Sequence, residues 1–306
     1  MKVLVVGATG ALGRPVVQLL RGRGLAVRAL SRHPAQAGDL ADLGAEVVAG
    51  DLADPNSIKH ACTDVTHVLA CAHGLLGRGR QCMEMIDDAG HRVLIAAARA
   101  AGVQRFVYTS AYGAGPENPV DFFRTKHAIE QVLLASGLDA VILQPTAFME
   151  HHVHAFNGKQ LLERGKVQLI GPGTKPRNFV CALDVAQFAV RALLDDPPPF
   201  RKLTIGGPQN FSNLEVAALY SRMAGVPLRV SHLPARMAAL LGRIIQPLHP
   251  GVARILRLSS LPDETMPEHF EAPVDYEREF GVRMTPLDEF VRRQVLERNS
   301  KRGTSR

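Results

Sequence analysis

The sequence predicts an α/β fold: a doubly wound parallel sheet covered by helices, with a smaller α/β lobe interleaved towards the C-terminus. Three observations carry that expectation. The chain opens on Val3-Leu4-Val5-Val6, an aliphatic run of the kind found in strands buried on both faces. Gly7, Gly10 and Gly13 follow at GxxGxxG spacing and lead into a helical apolar pattern at Leu12, Val16, Val17, Leu19 and Leu20. Strand-like and helix-like stretches then alternate as far as residue 146.

A strand that turns through glycines into a helix presents free backbone N–H groups and the positive end of the helix dipole. Missing Cβ atoms let an anion approach that backbone closely. A dinucleotide pyrophosphate is therefore expected at Gly7, Thr9, Gly10, Ala11, Leu12 and Gly13. The second strand, 26–30, ends at Ser31-Arg32. An acidic residue at that point suits a ribose 2′-hydroxyl, and a basic one suits a 2′-phosphate. Arg32, with Arg14 as helper, favours NADP(H) over NAD(H); the plainer reading is an exposed loop arginine.

The third strand, 45–50, brings Asp51 and Leu52 to its C-terminal edge. There a carboxylate can accept from the adenine amino group and an aliphatic side chain can pack on the ring. Asp54, before Pro55, reads as a helix cap. The fourth strand, 65–70, ends at Ala70 and Cys71, small residues that let a cofactor pass over the strand ends. Cys71 reads as packing, since no basic partner that would make it a nucleophile is evident. A helix over about 84–101 follows, with Ile86, Val93, Leu94 and Ala97 inward, and then a fifth strand over 105–110.

GATGALG at 7–13, GDL at 50–52, FVYTS at 106–110, FFRTKHAIEQVLLASGLDAVILQPTAF at 122–148 and DVAQFAVRAL at 184–193 together carry a resemblance. In that order they resemble an atypical short-chain dehydrogenase/reductase of the NmrA-like group, which includes NAD(P)H:quinone reductases and redox-sensing regulators. The likeness spans about residues 1–295. It implies a Rossmann-type NAD(P)-binding domain over 1–150, with returning segments at about 178–206. A substrate or lid lobe would take 151–177 and 207–295, and a flexible basic tail 296–306.

The resemblance also implies a proton-transfer set of a serine, a tyrosine and a lysine four residues after the tyrosine. Tyrosine donates to a carbonyl oxygen, lysine lowers its pKa and holds the nicotinamide ribose, and serine orients the substrate. Ser110 and Lys126 match, but the tyrosine position is Phe122, which has no hydroxyl. Tyr112 is a candidate substitute, set against its reading as a pocket residue. Pro145, Thr146 and Phe148 are implied to lie beside the nicotinamide. Phe122 excludes the ordinary tyrosine mechanism from that position and disfavours sugar-nucleotide epimerisation, which needs the same acid. Two readings remain. One is an NADPH-dependent oxidoreductase acting on a quinone-like or other electron-poor small molecule. The other is a non-catalytic NADP(H) sensor acting through a protein partner.

After the sixth strand, 141–146, His151 and His154 lie i, i+3 on an expected helix, with His152 between them. Without an HExxH pattern or a cysteine cluster they read as pocket-lining residues, and no metal ligand is assigned. Residues 167–170, the turn Gly171-Pro172-Gly173 and 178–180 suggest a short β unit. Asp184 is expected to cap a helix through Leu194, 203–207 to form a strand, and Ser212 to cap a helix reaching Gly225. From Pro234 to Leu258 large aliphatic residues alternate with Arg236, Arg243, Arg254 and Arg257. This stretch is read as a helical cover over the substrate pocket, broken at Pro247 and Pro250, in preference to peripheral contact with a membrane.

The 306 residues are 46% hydrophobic and 21% charged, the balance of a folded chain. The net charge of +7 is scattered apart from the C-terminal tail. With no tryptophan and no basic helix interleaved with aromatics, a nucleic-acid partner is not expected. Cys62, Cys71, Cys82 and Cys181 form no CxxC pair. With the first strand starting at residue 2 or 3, no leader is expected before it, and no apolar run reaches the ~18 residues of a membrane span. A cytoplasmic location is the expectation.

Overall fold

The structure, a computed structural model, describes residues 1–261, 268–270 and 275–303. In chain order the first half runs β1 (Lys2–Val6), α1 (Gly13–Gly22), β2 (Ala26–Ser31), α2 (Gly38–Asp42), β3 (Glu46–Ala49), α3 (Pro55–Ala61) and β4 (His67–Ala70). A π-helix (Glu84–Gly90), α4 (His91–Ala100), β5 (Arg105–Thr109), α5 (Asp121–Leu134) and β6 (Asp139–Pro145) follow. Next come β7 (Ala147–Phe148), a second π-helix (Met149–Gly158), α6 (Lys159–Arg164), β8 (Val167–Ile170), β9 (Arg177–Val180), α7 (Ala182–Leu194) and β10 (Lys202–Ile205). The chain ends with β11 (Asn210–Phe211), α8 (Asn213–Ala224), β12 (Val230–Leu233), α9 (Ala235–Ile245), α10 (Pro250–Leu258), α11 (Tyr276–Phe280) and α12 (Leu287–Gly303).

The contacts divide the chain into two units. The first holds Met1–Pro145, Val185–Ile205 and Gln246–Arg254; the second holds Thr146–Asp184, Gly206–Ile245 and Ile255–Arg306. The first unit is a seven-stranded parallel sheet in the order β10-β6-β5-β4-β1-β2-β3, the Rossmann-like doubly wound arrangement. Val3, Leu4, Val5 and Val6 are buried, as a central strand with helices on both faces requires. Register is pinned by charge as well as by pattern. Arg28 stands opposite Glu46 and reaches it at 3.0 Å, and Arg105 stands opposite Asp139 and reaches it at 2.7 Å. At the N-terminus of α5, Asp121 accepts from Arg254 of α10 at 2.8 Å. Strand order reverses at β1, so the C-terminal ends of β1 and β4 open the crevice in which this architecture binds ligands.

The second unit holds a three-stranded sheet, β11-β9-β7, and a two-stranded one, β12-β8. Asn178 ties the first together: its Oδ1 accepts from Gly207 N at 2.7 Å and Thr146 Oγ1 at 2.9 Å. Ser212 forms a full capping box with Glu215 at the start of α8, as its sequence predicts.

Four local expectations are corrected. Residues 167–170 and 178–180 do not pair; each finds a partner farther along the chain. Asp184 is not an N-cap but lies inside the first turn of α7, where it accepts from Thr285 N at 2.6 Å and Oγ1 at 2.8 Å. The helix expected over 84–101 is π-wound through Gly90 before it becomes α-helical. The expected tail is helical to Gly303; Arg306 and the side chains of Lys301 and Arg302 lie outside the described residues.

Candidate functional site

The glycine turn is built for close approach. Gly7 has φ +96°, and a Cβ on it would come within 2.7 Å of Ala72 N. A Cβ on Gly13 would come within 2.2 Å of Gly7 O, so α1 and β1 can meet only through glycine. Gly10 N donates to Gly7 O at 3.0 Å and closes the turn. No side chain caps α1; of its first backbone donors, Arg14 N is taken by Gly10 O at 3.1 Å and Pro15 has none, so an anion would meet the turn at Thr9, Gly10, Ala11, Leu12 and Gly13. Leu12 offers backbone alone, since its side chain is buried. A cradle without Cβ atoms beside an uncapped ten-residue helix fits a dinucleotide pyrophosphate.

At the ends of β2 and β3 the structure joins two of the expected residues through a third that the sequence did not flag. Arg32 donates to Gln81 Oε1, and Gln81 Nε2 donates to Asp51 Oδ2 at 2.7 Å. The other oxygen of Asp51 accepts from Ala53 N at 2.9 Å. Arg14 donates from Nε to Thr9 O at 3.1 Å and pairs with Asp39, so it is fixed beside the cradle. Leu52, expected to pack on an adenine ring, is instead buried in the core with Ile58 and Ile86. Asp54 caps α3 by accepting from Asn56 N at 3.0 Å, as expected.

Ala70 is buried at the end of β4, and Cys71 N donates to Val6 O at 2.9 Å. Burial pushes the Cys71 thiol up to about 12, which makes it unreactive.

Phe122, Lys126 and Glu130 form one stripe of α5, four residues apart. Lys126 is 3% exposed; its ammonium pairs with Asp87 Oδ1 at 3.1 Å and donates to Thr109 O at 3.3 Å. It lies 5.0 Å from the centroid of the Tyr108 ring and 5.4 Å from that of Phe122. The residue at the implied tyrosine position thus does face Lys126, but as a bare ring. Burial by itself would lower the lysine pKa; Tyr108 and Asp87 outweigh it and hold it above the ordinary value. Burial likewise works to raise Asp87, yet Lys126, His73 and His91 keep its carboxyl below the usual range. Gly74 N donates to the second oxygen of Asp87 at 2.6 Å. His91, one turn on, points Nδ1 at Ile86 O at 2.7 Å and packs edge-on against Tyr108.

Ser110 donates to the fully buried Glu130 at 2.5 Å, where Gln144 Nε2 and Lys202 Nζ also converge, at 2.7 and 2.9 Å. Its hydroxyl is committed to that carboxylate. Tyr112 is half-buried, and its N donates to Pro145 O at 2.9 Å, so those two expected residues do meet. Thr146 and Phe148 belong to the second unit, Phe148 paired with Val180.

His151 and His154, which would share a face on an α-helix, do not do so. The segment is a π-helix, and its wider turn takes i and i+3 apart. His152 Nδ1 accepts from Arg177 at 3.3 Å, His154 meets Tyr220 OH at 3.1 Å, and His151 is exposed. No cluster with metal-ligand geometry occurs among the described residues. Gln81, Asp87, His91, Tyr108 and Glu130 were missed by sequence reasoning. The one available signal was Asp87 with His91, two polar residues four apart in a stretch whose inward side is otherwise aliphatic.

Residues 7–196 match the model of a family described as NAD(P)H-binding. The chain belongs to that family. It is 32% identical over 230 residues to the NAD(P)H azoreductase of Xenophilus azovorans, covering 74% of this chain and 75% of that one. It is 30% identical over 234 residues to the photosystem II assembly factor Ycf39 of Synechocystis, covering 76% and 71%. The triphenylmethane reductase of Citrobacter shares the fold, with a TM-score of 0.74, 22% identity, and 96% and 100% coverage in its NADP(H) complex. The sequence motifs and the sheet agree with membership of the atypical, NmrA-like short-chain reductases. Among the described residues, no helix is long and apolar enough to cross a membrane.

Proposed function

We propose that this chain is an NADPH-dependent oxidoreductase that reduces a quinone-like or other electron-poor conjugated small molecule. The observation that carries the reading is the arrangement at the strand ends: a basic residue, Arg32, where an acidic one would select NAD, linked through Gln81 to Asp51. Gly7, Gly10 and Gly13 take the pyrophosphate, Arg32 takes the 2′-phosphate, and Asp51 takes the adenine. A reduced nicotinamide, once bound, supplies a hydride. Lys126 and Asp87 supply a fixed charge pair beneath Phe122. Phe122 offers no proton, and that selects the acceptor. A simple ketone needs an acid as hydride arrives, whereas a quinone or azo acceptor spreads the incoming charge and takes its protons from water. The similarity to an azoreductase supports that class. The four free cysteines are in keeping with a reducing, cytoplasmic setting.

Purified protein given NADPH with benzoquinone, naphthoquinone or an azo dye tests the proposal. Acceptor-dependent loss of nicotinamide absorbance is expected, faster with NADPH than with NADH. A second reading, a non-catalytic NADP(H)-binding regulator working through a protein partner, is favoured by Phe122 and by the similarity to Ycf39. Tight NADPH binding with no turnover on any acceptor would select it.

A further inference from the structure

Helix α9 is packed the opposite way from an ordinary surface helix. Its buried positions are the small ones, Ala238 and Gly242. Its large aliphatic residues face out: Met237 is 52% exposed, Leu240 57%, Leu241 37% and Ile244 60%. These four stand at i, i+3, i+4 and i+7, so they form one stripe, the stripe that such helices normally turn towards a core.

Along the chain, the charges that flank the stripe are one-sided. Between Glu215 and Asp263 the chain runs 47 residues without an acidic side chain, although it carries 29 in all. The same stretch holds six arginines. Arg254 is used internally by Asp121 and Glu84. Arg236 and Arg243, seven residues apart on one flank of the stripe, are exposed and make no ion pair among the described residues. Protein interfaces concentrate their binding energy in Trp, Tyr and Arg around a packed centre. Here the apolar stripe is Met, Leu and Ile alone, bordered by unpaired cations, the pattern of a helix lying in a lipid headgroup layer.

We propose that α9 docks this chain on an anionic membrane surface. Met237, Leu240, Leu241 and Ile244 enter the headgroup–acyl boundary, and Arg236 and Arg243 meet lipid phosphates. The proposal does not depend on the cofactor reading. Sedimentation of the full chain with vesicles tests it, using phosphatidylcholine alone and an equimolar mixture with phosphatidylglycerol. Binding is expected to the mixed vesicles and to fall with salt. The pair L240S/I244S should abolish it. The pair R236Q/R243Q should weaken it about 25-fold, at roughly fivefold per arginine near a charged bilayer. Because all four positions are exposed, thermal melts of both variants should match the wild type, which separates lost docking from lost folding. Failure of the wild type to bind mixed vesicles, or equal binding by L240S/I244S, overturns the proposal. So does stripe-dependent self-association in light scattering without vesicle binding, which would assign the face to a second copy of the chain.

Discussion

A lysine ammonium taken out of water costs several kcal/mol unless an anion faces it, and Asp87 faces Lys126 at 3.1 Å. Lys126→Met would leave Asp87 as a buried charge without its counter-ion. We expect a loss of about 3–5 kcal/mol in urea unfolding. Lys126→Met/Asp87→Leu should be more stable than the single variant, because the orphaned charge is gone. A single variant as stable as wild type would mean that the pair does not hold this part of the fold. Arg32 poses a different question, since it is exposed and its partner is a neutral amide. Arg32→Ala should weaken NADPH about ten- to a hundredfold, the range of one charged hydrogen bond, and leave NADH nearly unchanged. Titration calorimetry with both nucleotides decides it; equal losses would place Arg32 outside the phosphate site. Arg32 and Asp51 were legible because strand ends have fixed meanings in this architecture. Gln81, which joins them, was not. It arrives on a single 3₁₀ turn, Gly79–Gln81, whose path no local pattern announces.

The glycine turn is the element on which the first unit's geometry rests. A Cβ at position 13 would strike backbone atoms, Gly7 O at 2.2 Å and Ala8 Cα at 2.7 Å, and backbone cannot swing aside as a side chain can. Gly13→Ala is therefore expected to lower the melting temperature and cut nucleotide affinity at least tenfold. Unchanged affinity by calorimetry would show that α1 can shift without cost to the cradle. The capping box of α8 makes a milder case: Ser212→Ala should cost about 1 kcal/mol in chemical denaturation, with nucleotide binding intact. Elements of this kind were readable from sequence because they depend on neighbours three or four residues away. β1 announces itself by Val3-Leu4-Val5-Val6, and Ser212 with Glu215 announces α8. The two π-helices were unreadable for the converse reason. An extra residue per turn leaves the apolar pattern close to that of an α-helix, yet it redirects Asp87 inward and separates His151 from His154. Strand partners in the second unit were unreadable too, since β8 finds its mate more than sixty residues on, in β12.

For the molecule as a whole, the buried cluster beneath α5 ties stability to pH. Burial, reinforced by Lys126, pushes His91 down to about 4, against ~6.5 in an unfolded chain. As pH falls below about 6.5 the unfolded state takes up a proton that the folded state refuses. Stability therefore declines between pH 6.5 and 4 and is untouched by His91 above that window. The ceiling is about 3 kcal/mol, large beside a typical total of 5–15 kcal/mol. Asp87 acts in another range. Its pKa is held below the ordinary value, so its contribution is complete above ~4 and is lost only below it. Glu150 and Asp184 have the opposite sign: burial raises both, so the stability they contribute is present at low pH and is lost as pH rises through their folded pKa values. His67 and His154, also lowered by burial, add to the same slope as His91. A single wild-type curve therefore mixes several groups, and the informative quantity is a difference. His91→Gln keeps a donor for Ile86 O and removes the titration. Its unfolding free energy should fall less steeply than that of the wild type from pH 6.5 to 4, with the two curves parallel above 7. Curves that stay parallel across the whole range would mean that His91 takes up its proton in the folded state as readily as in the unfolded one, and that the room between Asp87, Lys126 and Tyr108 is wetter than its burial implies.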